Sequence, residues 1–183
     1  MQLSVVVPTL NGREELSRCL DTLAAYVPDA ETIVVNGPSA DGTTGMVRER
    51  EDVDVLVEVA DRTINAARNA GIDRATGDAI ALLDRSFSVE AGWVDAVRET
   101  LSDAAVVTGP THRKLAAGMT TESLEERTIA GRDVTYFNPG NVAFSTSVLD
   151  ELDGFDEYLE VGGSRDLAHR VAESGHDVAW NSS

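Results

Sequence analysis

The sequence predicts an α/β protein: a three-layer α/β/α sandwich on a mostly parallel sheet. Three observations carry that class. Strand-like apolar runs alternate with helical repeats from the N-terminus to about residue 108. The run Ala79-Ile80-Ala81-Leu82-Leu83 is apolar without a break, as in a strand covered on both faces. Turn-forming polar segments follow the strands, and in such sheets ligands bind outside the carboxyl ends of the strands.

Taken in order, Leu3 to Val7 is a β-branched run stopped by Pro8, hence a strand, and Thr9-Leu10-Asn11-Gly12 is a turn. Leu16, Cys19, Leu20 and Leu23 recur at helical spacing and predict a helix from about Arg13 to Tyr26. Thr32 to Val35 reads as a strand, the loop Asn36 to Gly42 is rich in turn formers, and a short helix follows near Thr43 to Arg50. Val53, Val55, Val57 and Val59 alternate with other residues, as in a half-buried strand. A helix is expected over Ile64 to Ala75, closed by Gly77, then the strand ending at Asp84, a helix from about Glu90 to Leu101 and a strand at Ala104 to Val107. From Thr108 to Gly140 the periodicity dissolves, and one short helix is expected there, around Glu122 to Arg127. Pattern returns at Asn141 to Phe144, with helices near Thr146 to Leu152 and Arg165 to Glu173 and a strand-like Val178-Ala179-Trp180 close to the end. A stop so soon after a strand suits a fragment of something longer.

The length, 183 residues, suits one folding unit, and 42% hydrophobic content can build its core. The charge is unusual: 15 basic residues against 32 acidic give −17, and Lys114 is the single lysine. Such a surface repels nucleic acid and anionic membranes, so neither is an expected partner, and membrane attachment would need a further C-terminal part. The composition resembles that of proteins adapted to a salt-rich cytoplasm; an ordinary acidic protein is the alternative. A lone Cys19 suits a reducing, cytoplasmic compartment, and neither a transmembrane run nor a signal-peptide pattern is visible.

Three loops, Pro8 to Gly12, Asn36 to Gly42 and Asp84 to Phe87, would lie at strand carboxyl ends and converge on one cleft. The first two carry Gly and small polar side chains suited to a nucleotide's base and ribose. The third offers the Asp84 carboxylate to a metal or a ribose hydroxyl. The plainer reading of Asp84 is a residue that ends a strand and starts a turn. His112-Arg113-Lys114 is the densest basic cluster, and solvated charges paired with nearby carboxylates explain it equally well. His169 and His176 have no metal-ligand spacing.

An ordered set of motifs then carries a resemblance. Ser4-Val5-Val6-Val7-Pro8-Thr9-Leu10-Asn11 resembles the opening strand and loop of family 2 glycosyltransferases of GT-A fold, usually V-P-T-Y-N, with Leu10 in place of the aromatic. Ile33 to Thr43 is similar to a loop usually D-D-G-S-x-D-G-T, with Asn36 and Gly37 where two aspartates stand. Arg68-Asn69-Ala70-Gly71 resembles the R-N-x-G helix, and Asp84 to Trp93 the L-D-x-D-D motif with its later G-W. Gly140 to Phe144 and Gly154 to Glu157 resemble acceptor-side segments, and Gly162 to Arg170 a helix usually G-E-D-x-D-L-x-x-R.

The resemblance implies an enzyme that moves a sugar from a nucleoside-diphosphate sugar to an unknown glycan or lipid-linked acceptor, with inversion. It implies a nucleotide-sugar half over 1–108 and an acceptor and catalytic half over 109–183. Pro8, Thr9, Asn11, Asn36, Arg68, Asp84 and Arg85 would bind the donor; Asn141 and Arg165 would lie on the acceptor side. Carboxylates are missing at two places in the pattern: Ser86 stands at the metal ligand, and Gly163 and Ser164 at the catalytic pair. Asp166, or less directly Asp156, is left as base, and Asp84 alone as a weak ligand for Mg2+ or Mn2+, so the metal is expected to be weakly bound or dispensable. Arg85 and Arg165 flank the missing positions as substitute cations. The same losses support a rival, a nucleotide-sugar-binding or regulatory protein without turnover. A nucleotidyltransferase fits less well, since Pro8 to Gly12 holds a single Gly, and a dinucleotide oxidoreductase lacks its G-x-G-x-x-G.

Overall fold

The computed structural model describes residues 1–61, 63–115, 118–121 and 124–182. The first part of the chain alternates as expected: β1 (Leu3–Thr9), α1 (Arg13–Tyr26), β2 (Glu31–Asn36), α2 (Thr43–Arg48), β3 (Val55–Glu58), α3 (Ile64–Ile72), β4 (Ala79–Leu83), α4 (Trp93–Thr100) and β5 (Val106–Thr108). Two hairpins follow, β6 (His112–Leu115) with β7 (Gly118–Thr121), and β8 (Glu125–Ile129) with β9 (Arg132–Tyr136). The chain then forms β10 (Asn141–Ser145), α5 (Thr146–Leu152), α6 (Gly163–Glu173) and β11 (Val178–Trp180).

Seven strands make one sheet in the order β11-β5-β10-β4-β1-β2-β3. Every neighbouring pair is parallel except those of β10, which runs antiparallel between β4 and β5. The period of two along each strand divides the core. Leu3, Val5 and Val7 of β1, with Ala79, Ala81 and Leu83 of β4, pack on the side of α1, α2 and α4. Val6, Ile80 and Leu82 pack on the side of α3, α5 and α6. The result is the three-layer α/β/α sandwich. Helix α3 reaches the sheet through Gly71, where a Cβ would lie 2.3 Å from Val6 Cγ1 and 3.0 Å from Val35 Cγ2.

The helix expected around Glu122 to Arg127 is corrected. Glu122 and Ser123 lie outside the described residues, but Glu125 to Arg127 are strand, paired with Val134 to Tyr136. This ribbon turns at Ala130 and Gly131, both at positive φ (52° and 80°), as a two-residue hairpin turn requires. Most of β8 is exposed and only Val134 of β9 is fully buried, so too few apolar positions exist to betray the period in sequence. Among the described residues no helix is long and apolar enough to cross a membrane.

Candidate active site

The chain leaves β1 toward β2 and β3 on one side and returns to β4 on the other, so the carboxyl ends of β1 and β4 form a topological switch point. Pairing of β1 with β4 ends at Val6 and Leu82, two residues before Pro8, which has no N–H to give. Pairing with β2 continues to Thr9 opposite Asn36. The two strands therefore part at Pro8, and the Leu10 to Gly12 and Asp84 to Phe87 loops border the opening. Antiparallel β10 brings Asn141 opposite Leu83 at this same end.

The loops after β1 and β2 are locked together. The Asn11 N–H donates to Ser39 Oγ at 2.8 Å, and Asn11 Oδ1 accepts from the Ala40 N–H at 2.9 Å. Asn11 sits at φ 57°, a left-handed conformation Asn tolerates. Asp41 Oδ2 accepts the N–H groups of Gly12 and Arg13 at 2.7 and 3.0 Å, while Oδ1 accepts from the N–H and hydroxyl of Thr43. One carboxylate thus caps the starts of α1 and α2. The Thr43 hydroxyl first, then these N–H groups, hold Asp41 well below the usual carboxylate range. Thr9 and Asn36, expected at the nucleotide, hydrogen-bond within the loops. Thr9 Oγ1 donates to Asn11 O, and Asn36 is 1% exposed, donating to Thr44 Oγ1 and accepting from Ser39 Oγ, both at 2.7 Å.

Asp84 closes β4 as a turn as well as a carboxylate. Its N–H donates to Gly140 O, and its Oδ1 accepts from Ser86 N–H at 2.8 Å and Ser86 Oγ at 2.6 Å. Gly140 lies against it so closely that a Cβ would sit 2.8 Å from Asp84 Cβ. Arg85 folds back over the first loop: a Cβ on Gly12 would lie 2.3 Å from Arg85 Nε, and Glu15 Oε2 is 3.7 Å from that nitrogen. Beneath Asp84, the buried Cys19 thiol is pushed up to about 12, by burial first and then by the Asp84 charge, so it stays protonated.

Arg68, one turn into α3, completes this end. Its guanidinium carbon lies 5.0 Å from the Phe155 ring centre and Nη1 donates to Asn65 Oδ1 at 3.2 Å. Its Nε is sealed from solvent without a hydrogen-bond partner, as is Arg85 Nε. Burial pushes the Arg68 guanidinium down to about 10, with the Asp84 charge pulling the other way.

In the second half, Asn65 and Asn69 staple the segment after α5 onto α3. Asn65 Nδ2 donates to Asp156 O and Leu159 O at 3.0 and 2.9 Å; Asn69 exchanges hydrogen bonds with the Phe155 backbone and donates to Glu157. Asp156 is exposed, and its Oδ1 accepts from the Tyr158 N–H. Asp166 Oδ2 is held by Arg170 Nε at 2.8 Å, and Arg170 also donates to Leu152 O and Gly154 O. Asn141 Oδ1 accepts from the Trp93 indole, and its Nδ2 donates to Gly109 O. Arg165 is tied to the β8–β9 hairpin, paired with Glu125 at 2.9 Å and 4.4 Å from the Tyr136 ring centre. His169 meets Tyr136 Oη, and His176 meets Glu151. His112 is exposed on β6; the side chains of Arg113 and Lys114 lie outside the described residues. A cleft of about 850 Å³ lies beside Asn69, Phe155, Asp156 and Arg170, but Asp84, Asn11 and Arg68 do not line it. The convergence of loops, not cleft volume, selects the switch point.

The model of glycosyl transferase family 2 matches residues 4–148. The chain belongs to this family. The glycosyltransferase AglE of Haloferax volcanii is 24% identical over 196 residues, covering 97% of this chain and 64% of AglE. Among solved structures, mannosyltransferase PcManGT from Pyrobaculum calidifontis, in complex with GDP-Man and Mn2+, superposes with a TM-score of 0.78 at 20% identity, over 99% of this chain and 55% of that one. Residues 1–349 of S. aureus TarS, in complex with UDP-GlcNAc, give 0.78 at 17% identity, over 100% of this chain and 56% of that one. The chain thus spans a little over half to two thirds of these relatives, and the structural likeness establishes the shared fold.

For a family 2 glycosyltransferase, the residues that shape the site include several that the sequence reading did not single out. Asp41 stands within Ile33 to Thr43, in an Asp-Gly-Thr that signals a helix start. Asn69 stood beside Arg68. Phe155 stood inside the segment Gly154 to Glu157; Asn65 had no local signal, because its burial depends on α3 meeting the 154–163 segment.

Proposed function

We propose that this chain transfers a sugar from a nucleoside-diphosphate sugar to an acceptor, with inversion at the anomeric carbon. What supports the reading is the meeting of the Asn11 loop, Asp84 and Arg85 at the switch point between β1 and β4, with Arg68 one turn into α3. The GDP-Man and UDP-GlcNAc complexes of the structural neighbours support the donor class. In this reading residues 1–108 hold the donor, with Pro8, Thr9 and Asn36 setting the loops, and residues 109–183 receive the acceptor near Asn141 and Arg165. The lone Cys19 and the acidic composition fit a reducing, salt-rich cytoplasm.

The chemistry is a single displacement. An acceptor oxygen forms a bond to the anomeric carbon as the bond to the leaving phosphate oxygen breaks, and the nucleoside diphosphate departs with that electron pair. A hydroxyl acceptor gives its proton to a carboxylate. Asp166 and Asp156 are the candidates, each with one oxygen engaged, by Arg170 and by the Tyr158 N–H. A second reading follows from Gly163 and Ser164, which put no acid at the family's catalytic pair. An acceptor whose oxygen is already ionised, such as a phosphate, needs no base.

Calorimetry with GDP-sugars and UDP-sugars tests the donor. Asp84→Ala is expected to weaken binding by about 1.5–3 kcal/mol, the worth of a charge-assisted hydrogen bond. Equal affinities would remove Asp84 from the site. Asp166→Asn and Asp156→Asn separate the acceptor readings: a large fall in kcat for one of them identifies a base, and unchanged kcat for both points to an ionised acceptor.

A further inference from the structure

The site's charge arrangement disagrees with the metal that one structural neighbour carries. We infer that this chain meets the donor's diphosphate with the fixed guanidinium groups of Arg85 and Arg68, and not with a divalent ion held on its own carboxylates. The inference rests on the nucleotide-sugar reading above.

The donor set is the first argument. Small divalent ions prefer oxygen ligands and are commonly held through one or two carboxylates plus the substrate phosphates. Here Asp84 is followed by Arg85, Ser86 and Phe87, so the end of β4 supplies a single carboxylate, the least that range allows. One of its oxygens already accepts two hydrogen bonds from Ser86. Among the described residues no group of three or more His, Cys, Asp or Glu is placed to hold an ion. Ser86 therefore acts on Asp84 as an orienting donor, at the place where a second carboxylate would sit.

The second argument is the positive charge already present. Arg68 and Arg85 each bury an Nε that has no hydrogen-bond partner. An orphaned buried donor costs about 1–3 kcal/mol, which a ligand acceptor would relieve. Both residues belong to this end of the sheet: Arg85 lies over Gly12 of the first loop, and Arg68 stands one turn into α3, which packs on Val6 of β1 through Gly71. Glu15 competes for Arg85, but at 3.7 Å it is beyond a hydrogen bond, and Glu15 is 45% exposed. Phe155 covers Arg68 and lowers the local dielectric, which strengthens its attraction for a phosphate. A planar guanidinium matches two phosphate oxygens at once.

The test titrates inorganic pyrophosphate, GDP and UDP into the whole chain at fixed KCl, once in EDTA and once in excess Mn2+. The expected result is at least one ligand whose affinity agrees between the two buffers within about threefold. Arg85→Gln, on an accessible loop, is expected to weaken it about tenfold or more, as is Arg68→Gln. Ser86→Asp is expected to gain a dependence, with Mn2+ tightening nucleotide binding about tenfold, a gain that misfolding cannot imitate. Binding seen only with Mn2+ would overturn the inference and leave the proposed function standing. Binding indifferent to Arg85→Gln in a variant with unchanged melting temperature would overturn it too, as would a Ser86→Asp variant that gains nothing from Mn2+. No binding of any ligand in either buffer would overturn the nucleotide-sugar reading itself.

Discussion

Arg68 on α3 and Arg170 on α6 show how differently two regions of the molecule use the same side chain. In Arg170, in the second half, every nitrogen has a partner: Nε on Asp166, one terminal nitrogen on Leu152 O and the other on Gly154 O. It closes the turn after α5 with three of its five N–H donors. Every nitrogen of Arg50 is likewise engaged, by Asp52, Asp21 and Ser17, and the two carboxylates hold its guanidinium above the ordinary arginine value. Arg68 has one side-chain partner, Asn65, and a sealed nitrogen with none. Polar groups in a stable interior are normally satisfied. The difference separates arginines that maintain the fold from one held in readiness at the switch point.

The largest effect is expected from salt, which acts on both halves alike and sets the baseline for the rest. With a net charge of −17, carboxylate repulsion opposes folding at low ionic strength, and screening over about 10 Å at 0.1 M shrinks to about 3 Å at 1 M. Melting temperature is therefore expected to rise steadily from low to molar KCl. A flat or falling curve would contradict the salt-adapted reading.

Next in size is the contrast between the arginines. Arg170→Met strands Asp166 and two carbonyl groups, and should destabilise the fold by about 2–3 kcal/mol, the scale of lost charged hydrogen bonds. Arg68→Met removes a poorly satisfied buried cation and should leave stability level or raised, since such replacements are often neutral or stabilising. Denaturant titrations at matched KCl check both. Equal destabilisation by the two variants would abolish the distinction.

The smallest effect concerns Asp41, which is exposed. Its folded pKa lies below the ordinary value of about 3.9, so its contribution to stability is complete above about pH 4. That contribution is lost as pH falls from there through the folded value. Asp41→Asn should lower stability at neutral pH and shrink the difference from wild type in acid. Near-UV circular dichroism followed through acid titration measures it, and a difference that stays constant with pH would remove the carboxylate's charge from the account.

The periodic half of the fold was legible in residue order. The helix Arg13–Tyr26, the strand Ala79–Leu83, the helix Thr146–Leu152 and the strand Val178–Trp180 begin and end where their patterns do. The reason is that apolar spacing, Pro8 and the turn glycines act locally. Residues 109–140 were not legible, since a ribbon that buries little beyond Val134 leaves almost no alternation to read. An Ala-Gly turn was its one clear mark.

The candidate site divides in the same way. Motif order alone puts Asn11, Arg68 and Asp84 forward for one donor site, and the missing carboxylates at Ser86, Gly163 and Ser164 are facts of sequence. Which polar groups remain open was decided only in three dimensions. Asn36 and Thr9 look as available in sequence as Arg68 does, yet their hydrogen bonds are spent on Ser39, Thr44 and Asn11. That Asp166 keeps one carboxylate oxygen on Arg170, one helical turn along and fixed by the α5 turn, is likewise visible only in the fold. A side chain's type is written in the chain, but whether its hydrogen bonds are satisfied depends on partners up to 94 residues away, as between Asn65 and Leu159.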